Sequence, residues 1–265
     1  AVLALIHLHR DLADGAHGKA LLSALGRASA TVRAGIRQLI GHRDERVAAG
    51  AVELAGLAGD AEAVSELLPA MNNAAVESAS LELIARLGAR ANPALLELAE
   101  AATPEHYGRL FRLLGALSPD AIDDRLLAPV VSTLEGPNDI LAIAACDTLA
   151  RVGGRQAMAS LYRRCADPGA LGERASDALA SIAERLGSTG HDDLMLIVGG
   201  VWPQDGPLAR NLCRVVGRLG LVNFVPPLVS MLGSSDVRVR VAAALALGQI
   251  EGDHEGVGAL SFALA

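Results

Sequence analysis

Aromatic residues are scarce in this chain, 2% of 265 positions, with one Trp, two Tyr and three Phe. That excludes a stacking platform for single-stranded bases, which needs a series of exposed rings. Cysteine is equally thin: three scattered residues with no Cys-x-x-Cys pair spell out neither a disulfide framework nor a thiolate metal site, so a reducing, cytoplasmic setting is expected. Positive charge is in deficit, 23 Lys and Arg against 30 Asp and Glu, a net charge of −7 and a pI near 5.5. A chain of that balance has no general attraction for a phosphate backbone, and nucleic acid is not an expected partner. No stretch reaches the roughly 18 uninterrupted apolar residues that span a bilayer, and the start carries no secretory pattern. Membrane insertion of this segment is not expected.

Catalytic constellations are also missing. The histidines at 7, 9, 17, 42, 106, 191 and 254 follow no common spacing, and there is no His-Glu-x-x-His. No catalytic residue, cofactor site or metal site is assigned, and the chain is read as a non-enzyme. His191, Asp192 and Asp193 read as a helix-start cap rather than a metal site. Asp120, Asp123 and Asp124 read as a solvated helix start, because acids there are favoured by the helix dipole and their spacing does not suit calcium.

What the chain has is apolar residues, 51%, and a recurring glycine. Glycine follows an apolar residue at Gly26, Gly56, Gly88, Gly115, Gly153, Gly187, Gly220 and Gly248, at intervals of 30, 32, 27, 38, 34, 33 and 28. A period of about 32 residues is that of stacked two-helix repeats. One position before each glycine stand Leu25, Ala55, Leu87, Leu114, Val152, Leu186, Leu219 and Leu247; four before it stand Leu22, Val52, Ile84, Phe111, Leu149, Ala183, Val216 and Ala244. That spacing lines one face of a helix, and glycine just past the last turn tolerates the left-handed conformation that ends it. A second apolar stretch follows each glycine, as in Val64 to Met71, Leu126 to Leu134 and Val225 to Leu232, and reads as a second helix packed antiparallel on the first. The prediction is an all-α array of about eight helical hairpins, a single solenoid over residues 1–265. Because Ala1 is not Met and the last residues keep a helical pattern, the chain is expected to be a fragment of a longer protein.

Cys146 and Cys213 stand seven residues before their glycines, where other repeats have Val241, Leu81, Ala180 and Ala49, so both read as small buried apolar residues. Cys165 lies beside Arg163 and Arg164, where a lowered thiol pKa is conceivable.

The segment Asp236-Val-Arg-Val-Arg-Val-Ala-Ala-Ala-Leu-Ala-Leu-Gly248 closely resembles the HEAT repeat, in the bacterial variant grouped with phycobilisome-lyase-like repeats. Asp44-Glu-Arg-Val-Ala-Ala-Gly-Ala-Val-Glu-Leu-Ala-Gly56 repeats its Asp and Arg positions, with Asp44 and Asp236 placed as N-caps. The resemblance implies a right-handed superhelix with first helices outside and second helices inside. It also implies a protein-binding or scaffold role, since curved solenoids grip other polypeptides. Other members of that group imply two alternatives: a regulatory soluble domain attached to a membrane transporter or nucleotide-sensing protein, or an enzyme of the DNA glycosylase, hydroxylase or phycobilin lyase type. One His254-Glu255 pair matches the hydroxylase pattern, which needs several, and no basic aromatic groove of the glycosylase kind is present.

Four residues stand out as partner-binding candidates. Arg151, Arg185 and Arg218, with Arg86 before them, each lie two residues before a glycine, so stacking would set three of them in a ladder suited to an acidic protein or peptide segment. The other reading is that each pairs with a carboxylate of the next repeat, such as Asp147 or Glu184. Trp202 lies in the irregular stretch from Ser188 to Pro207, where glycine and proline should end the second helix early and project a loop. It reads either as an exposed anchor or as a filler between two units.

Overall fold

The computed structural model describes Ile6, residues 29–199 and residues 202–250. Among them every regular element is helical, and the chain divides into two compact units between Pro129 and Val130.

In the first unit, α1 (Ala30–Gln38) is followed by α2 (Glu45–Ala58), then by a 3-10 turn, Ala61–Glu66, that runs into α3 (Leu67–Ala70). Next come α4 (Ala74–Leu87), α5 (Asn92–Ala101) and α6 (Pro104–Leu114). Helix α2 packs on α4, and α4 on α6, while α5 lies against the 3-10 turn of the preceding hairpin. Like elements therefore stack on like, the two-layer arrangement of a solenoid. Polar side chains set the starts: the Arg46 amide donates to Asp44 Oδ1 at 2.9 Å, and the Val76 amide to Asn73 Oδ1 at 2.9 Å. Asp60, only 4% exposed, accepts from Arg37 Nη1 at 3.1 and 2.9 Å and so ties α1 to the far end of α2.

Helix α7 (Leu127–Glu135) contains the division, and the second unit goes on with α8 (Asp139–Val152), α9 (Arg155–Arg164), α10 (Ala170–Leu186) and α11 (Ser188–Val198). Helices α12 (Gly206–Arg218), α13 (Val225–Met231) and α14 (Val237–Gln249) complete it. First helices form one layer, α8 on α10 on α12 on α14, and second helices pack beside them, α9 on α11. Six of the residues four before a recurring glycine fill the core of their unit: Val52, Ile84, Leu149, Ala183 and Val216 are fully buried and Phe111 is 1% exposed, while Ala244 is partly buried and Leu22 lies outside the described residues. Asp236 caps α14 by accepting from the Arg238 amide at 2.8 Å, matching Asp44 at α2.

The recurring glycines do not all end their helices in the same way. Gly88, Gly187 and Gly220 follow their helices with φ of 56°, 59° and 62°, the left-handed stop expected of glycine. Gly56 and Gly248 instead lie inside α2 and α14, with α2 stopping at Gly59 (φ 61°), while Gly115 and Gly153 keep negative φ of −67° and −64°. Gly26 lies outside the described residues. At Gly56 a Cβ would stand 3.7 Å from the Leu83 Cα of α4, an ordinary contact, whereas at Gly153 it would come within 2.9 Å of the Ile182 side chain.

The stretch after Gly187 also differs from expectation. Helix α11 runs a full eleven residues because Gly190 lets it lie against α10, where a Cβ would be 2.8 Å from the Ala183 Cα. His191, Asp192 and Asp193 therefore sit inside the helix and cap nothing. Asp193 is buried and ion-paired with Arg155 at the start of α9.

Candidate functional site

The three arginines of the predicted ladder have separate fates. Arg185 donates to the Ala150 carbonyl at 2.9 Å and the Gly153 carbonyl at 2.6 Å, so it closes the end of α8 from the neighbouring helix. Partial burial lowers its pKa by desolvation. Arg218 pairs with Glu184 at 2.8 Å and reaches the Asp177 carbonyl at 3.4 Å. Arg151 is exposed on α8. Trp202 is half-buried, its ring centroid 5.0 Å from that of Phe224 and its Nε1 2.6 Å from the Met231 Sδ. It joins the α11–α12 connection to α13.

The same carbonyl-closing device recurs. Arg90 donates to Gly59 O at 2.8 Å, and Arg164 to Leu134 O at 2.7 Å and Gly136 O at 2.5 Å. The last four carbonyls of a helix have no partner within it and carry partial negative charge, which a guanidinium fork from the next repeat satisfies.

The thiols are inert features of the core. Burial pushes Cys146 and Cys213 up to about 12, and Cys165 is likewise pushed up by burial, opposite to the lowering that its arginine neighbours suggested. Arg163 and Arg164 are turned to Glu135 and to the end of α7. Asp123 accepts from the Arg125 amide at 3.0 Å and pairs with its side chain, which lowers the carboxyl pKa to about 2. Among the described residues, no group of three or more His, Cys, Asp and Glu could hold a metal ion, and no helix is long and apolar enough to cross a membrane.

An open groove of about 770 Å³ runs across the first helices α10, α12 and α14. Glu173 and Asp177 come from α10, Arg210, Arg214 and Arg218 from α12, and Arg238, Val241 and Leu245 from α14. Four guanidinium groups thus face two carboxylates. Arg214 pairs with Asp177 at 3.2 Å, while Arg210 Nη2 stands 3.5 Å from Glu173 Oε1 without hydrogen-bond geometry. Arg210 Nε and Nη2 are enclosed and have no hydrogen-bond partner. Val241 and Leu245 are 54% and 64% exposed, large apolar side chains that the array leaves open to water. The floor is set by Gly217, where a Cβ would come within 2.7 Å of the Ala246 Cα.

Of the sequence candidates, only Arg218 belongs to this groove. The signal for Arg210 and Arg238 was available: each stands ten residues before its glycine, the position that Arg46 holds in an earlier repeat. Nothing in the sequence marked Val241 and Leu245 as exposed, since both fit the apolar pattern of a core helix.

No curated protein matches the chain. Two solved structures are similar: an engineered protein at 18% identity and TM-score 0.44, aligned over 99% of this chain and 81% of its own; and a designed armadillo repeat protein in complex with the peptide (KR)4, at 17% identity and TM-score 0.41, aligned over 87% of each. Residues 224–251, which include α13 and α14, match the HEAT repeat family, so this all-helical chain carries a HEAT-type repeat.

Proposed function

We propose that the chain is a non-catalytic binding module that holds a segment of another protein in the groove of α10, α12 and α14. The observation that carries this reading is the groove itself, where exposed Val241 and Leu245 lie beside arginines whose donors are incompletely used. Large apolar side chains rimmed by charge are the usual composition of an interaction surface. Shape and surface recognition then do the work, without bond making. Arg218 contributes a wall of the groove, and the buried, unpaired thiols support a reducing, cytoplasmic setting.

The test is selection of peptides from a displayed random library on the full chain, counter-screened with Leu245→Asp. Leu245 is exposed, so its replacement leaves the helix intact, as circular dichroism would verify. Peptides should be enriched on the parent and lost on the variant. Enrichment that is absent, or equal on both proteins, overturns the reading.

A further inference from the structure

We infer that the groove selects a short acidic amphipathic segment, with two carboxylates on Arg210 and Arg238 and an apolar side chain beside them on Val241 and Leu245. This rests on the peptide-binding reading above and names the chemistry of the partner.

Charge complementarity comes first. Four arginines line the groove against Glu173 and Asp177. Arg214 and Arg218 are engaged with Asp177 and Glu184, and Arg210 has a longer ion pair with Glu173 at 3.5 Å, so Arg210 and Arg238 have the most donor capacity to spare. Arg210 is the sharper case, because its side chain is 20% exposed and its Nε and Nη2 make no hydrogen bond, Nη2 standing 3.5 Å from Glu173. A guanidinium whose donors are incompletely used favours a carboxylate oxygen, the acceptor its planar fork fits best. Arg238 is exposed on the neighbouring helix.

Register then sets the spacing. Arg210 and Arg238 occupy the same position, ten before the glycine, on adjacent first helices. Packed helices lie about 8–10 Å apart, so two acids about 10 Å apart on the ligand would address both. A helical peptide provides that span between residues i and i+7, about 10.5 Å of rise. Its residues i+3 and i+4 share the face of the acids, and Val241, one turn along α14 from Arg238, offers them apolar contact, with Leu245 a further turn on.

The partner is a short segment rather than a long polyanion. The chain as a whole carries −7, so a nucleic acid running beyond the groove would meet net repulsion, whereas a peptide presents its acids only where the arginines stand.

The probe is a fluorescein-labelled helical peptide with Glu at positions i and i+7 and Leu at i+3 and i+4, titrated with the full chain by anisotropy. Its Glu→Gln counterpart should bind at least tenfold more weakly, about 1.4 kcal/mol. The double variant Arg210→Gln/Arg238→Gln should weaken the Glu peptide by a similar factor and leave the Gln peptide unchanged. Arg46→Gln, at the same repeat position in the other unit, should change nothing. Because Arg210 is partly enclosed, Arg238→Gln alone is the second variant, expected to weaken the Glu peptide about threefold. Equal binding of Glu and Gln peptides, tighter binding of a Lys peptide, or comparable retention of a 20-nucleotide single strand overturns the inference. If the Glu peptide fails while library peptides are still lost on Leu245→Asp, only the acidic assignment falls; if both fail, the binding-module reading falls with it.

Discussion

At the residue scale, the chain's basic chemistry is almost wholly arginine: Lys19 is the single lysine among 23 cationic residues. The structure supplies the physical reason, since arginines repeatedly close the carbonyl ends of neighbouring helices, a task for a planar fork rather than a point charge. Arg185 holds two carbonyls at once. Arg185→Lys is therefore expected to destabilise by about 1 kcal/mol, one net hydrogen bond, measurable as a lowered urea midpoint at unchanged m. An unaltered midpoint would show that solvent replaces the second bond at no cost. The Arg37–Asp60 pair is more deeply set, and Asp60→Ala should cost about 1.5–3 kcal/mol as a charged hydrogen-bonded pair is broken. The capping roles of Asp44 and Asp236 were legible in the sequence because a helix start is a local pattern. The arginine roles were not, because each acceptor lies roughly one repeat away and is a backbone carbonyl, which no residue identity announces.

At the element scale, glycine at a fixed interval announced helix hairpins, yet the same residue type either ends a helix or lets two helices touch. Gly217 belongs to the second kind, with α14 too close for a methyl group. Gly217→Ala should cost about 1–3 kcal/mol through overpacking and widen the groove floor. Amide exchange should then quicken in α12 and α14 and stay unchanged in α8, which packs on α10 instead. Equal acceleration throughout the second unit would contradict nearest-neighbour stability. Trp202 offers a second check on the same elements. Its ring lies on Phe224 and Met231, so Trp202→Ala should loosen α13 against the α11–α12 connection, and native fluorescence should shift to the red as the second unit unfolds. An emission maximum already at the solvent-exposed position in the native protein would argue against this packing.

At the scale of the whole molecule, stability should depend on pH at both extremes and little between. Asp123 has a folded pKa lowered from 3.8 to about 2, so its stabilisation is complete above pH 4 and is lost as pH falls through 2. Glu135 is shifted the same way by Ser160 and then Arg163. The thiols act in the opposite sense. Cys146 and Cys213 are raised from 9.0 to about 12 by burial, so their contribution is complete below pH 9 and is lost as pH rises through 12. Thermal melts from pH 2 to 12 should show a plateau with both shoulders, and Cys146→Ala/Cys213→Ala should flatten the alkaline one. An alkaline shoulder identical in that variant would assign it to other groups. The same burial makes the native thiols slow toward a thiol reagent until the chain unfolds.

The sequence by itself determined the helical hairpin, its period, its buried face and two of its caps, because these follow from local spacing of apolar residues, glycine and aspartate along one strand of chain. It also determined the acidic balance and the shortage of rings that set nucleic acid aside. Only the tertiary structure decided which arginines are consumed in holding repeats together, which glycines separate helices and which admit them, and that Val241 and Leu245 stay open to water. Those outcomes depend on what lies across the gap between neighbouring helices, a distance of about 10 Å in space but about thirty residues in sequence, and no local pattern encodes it.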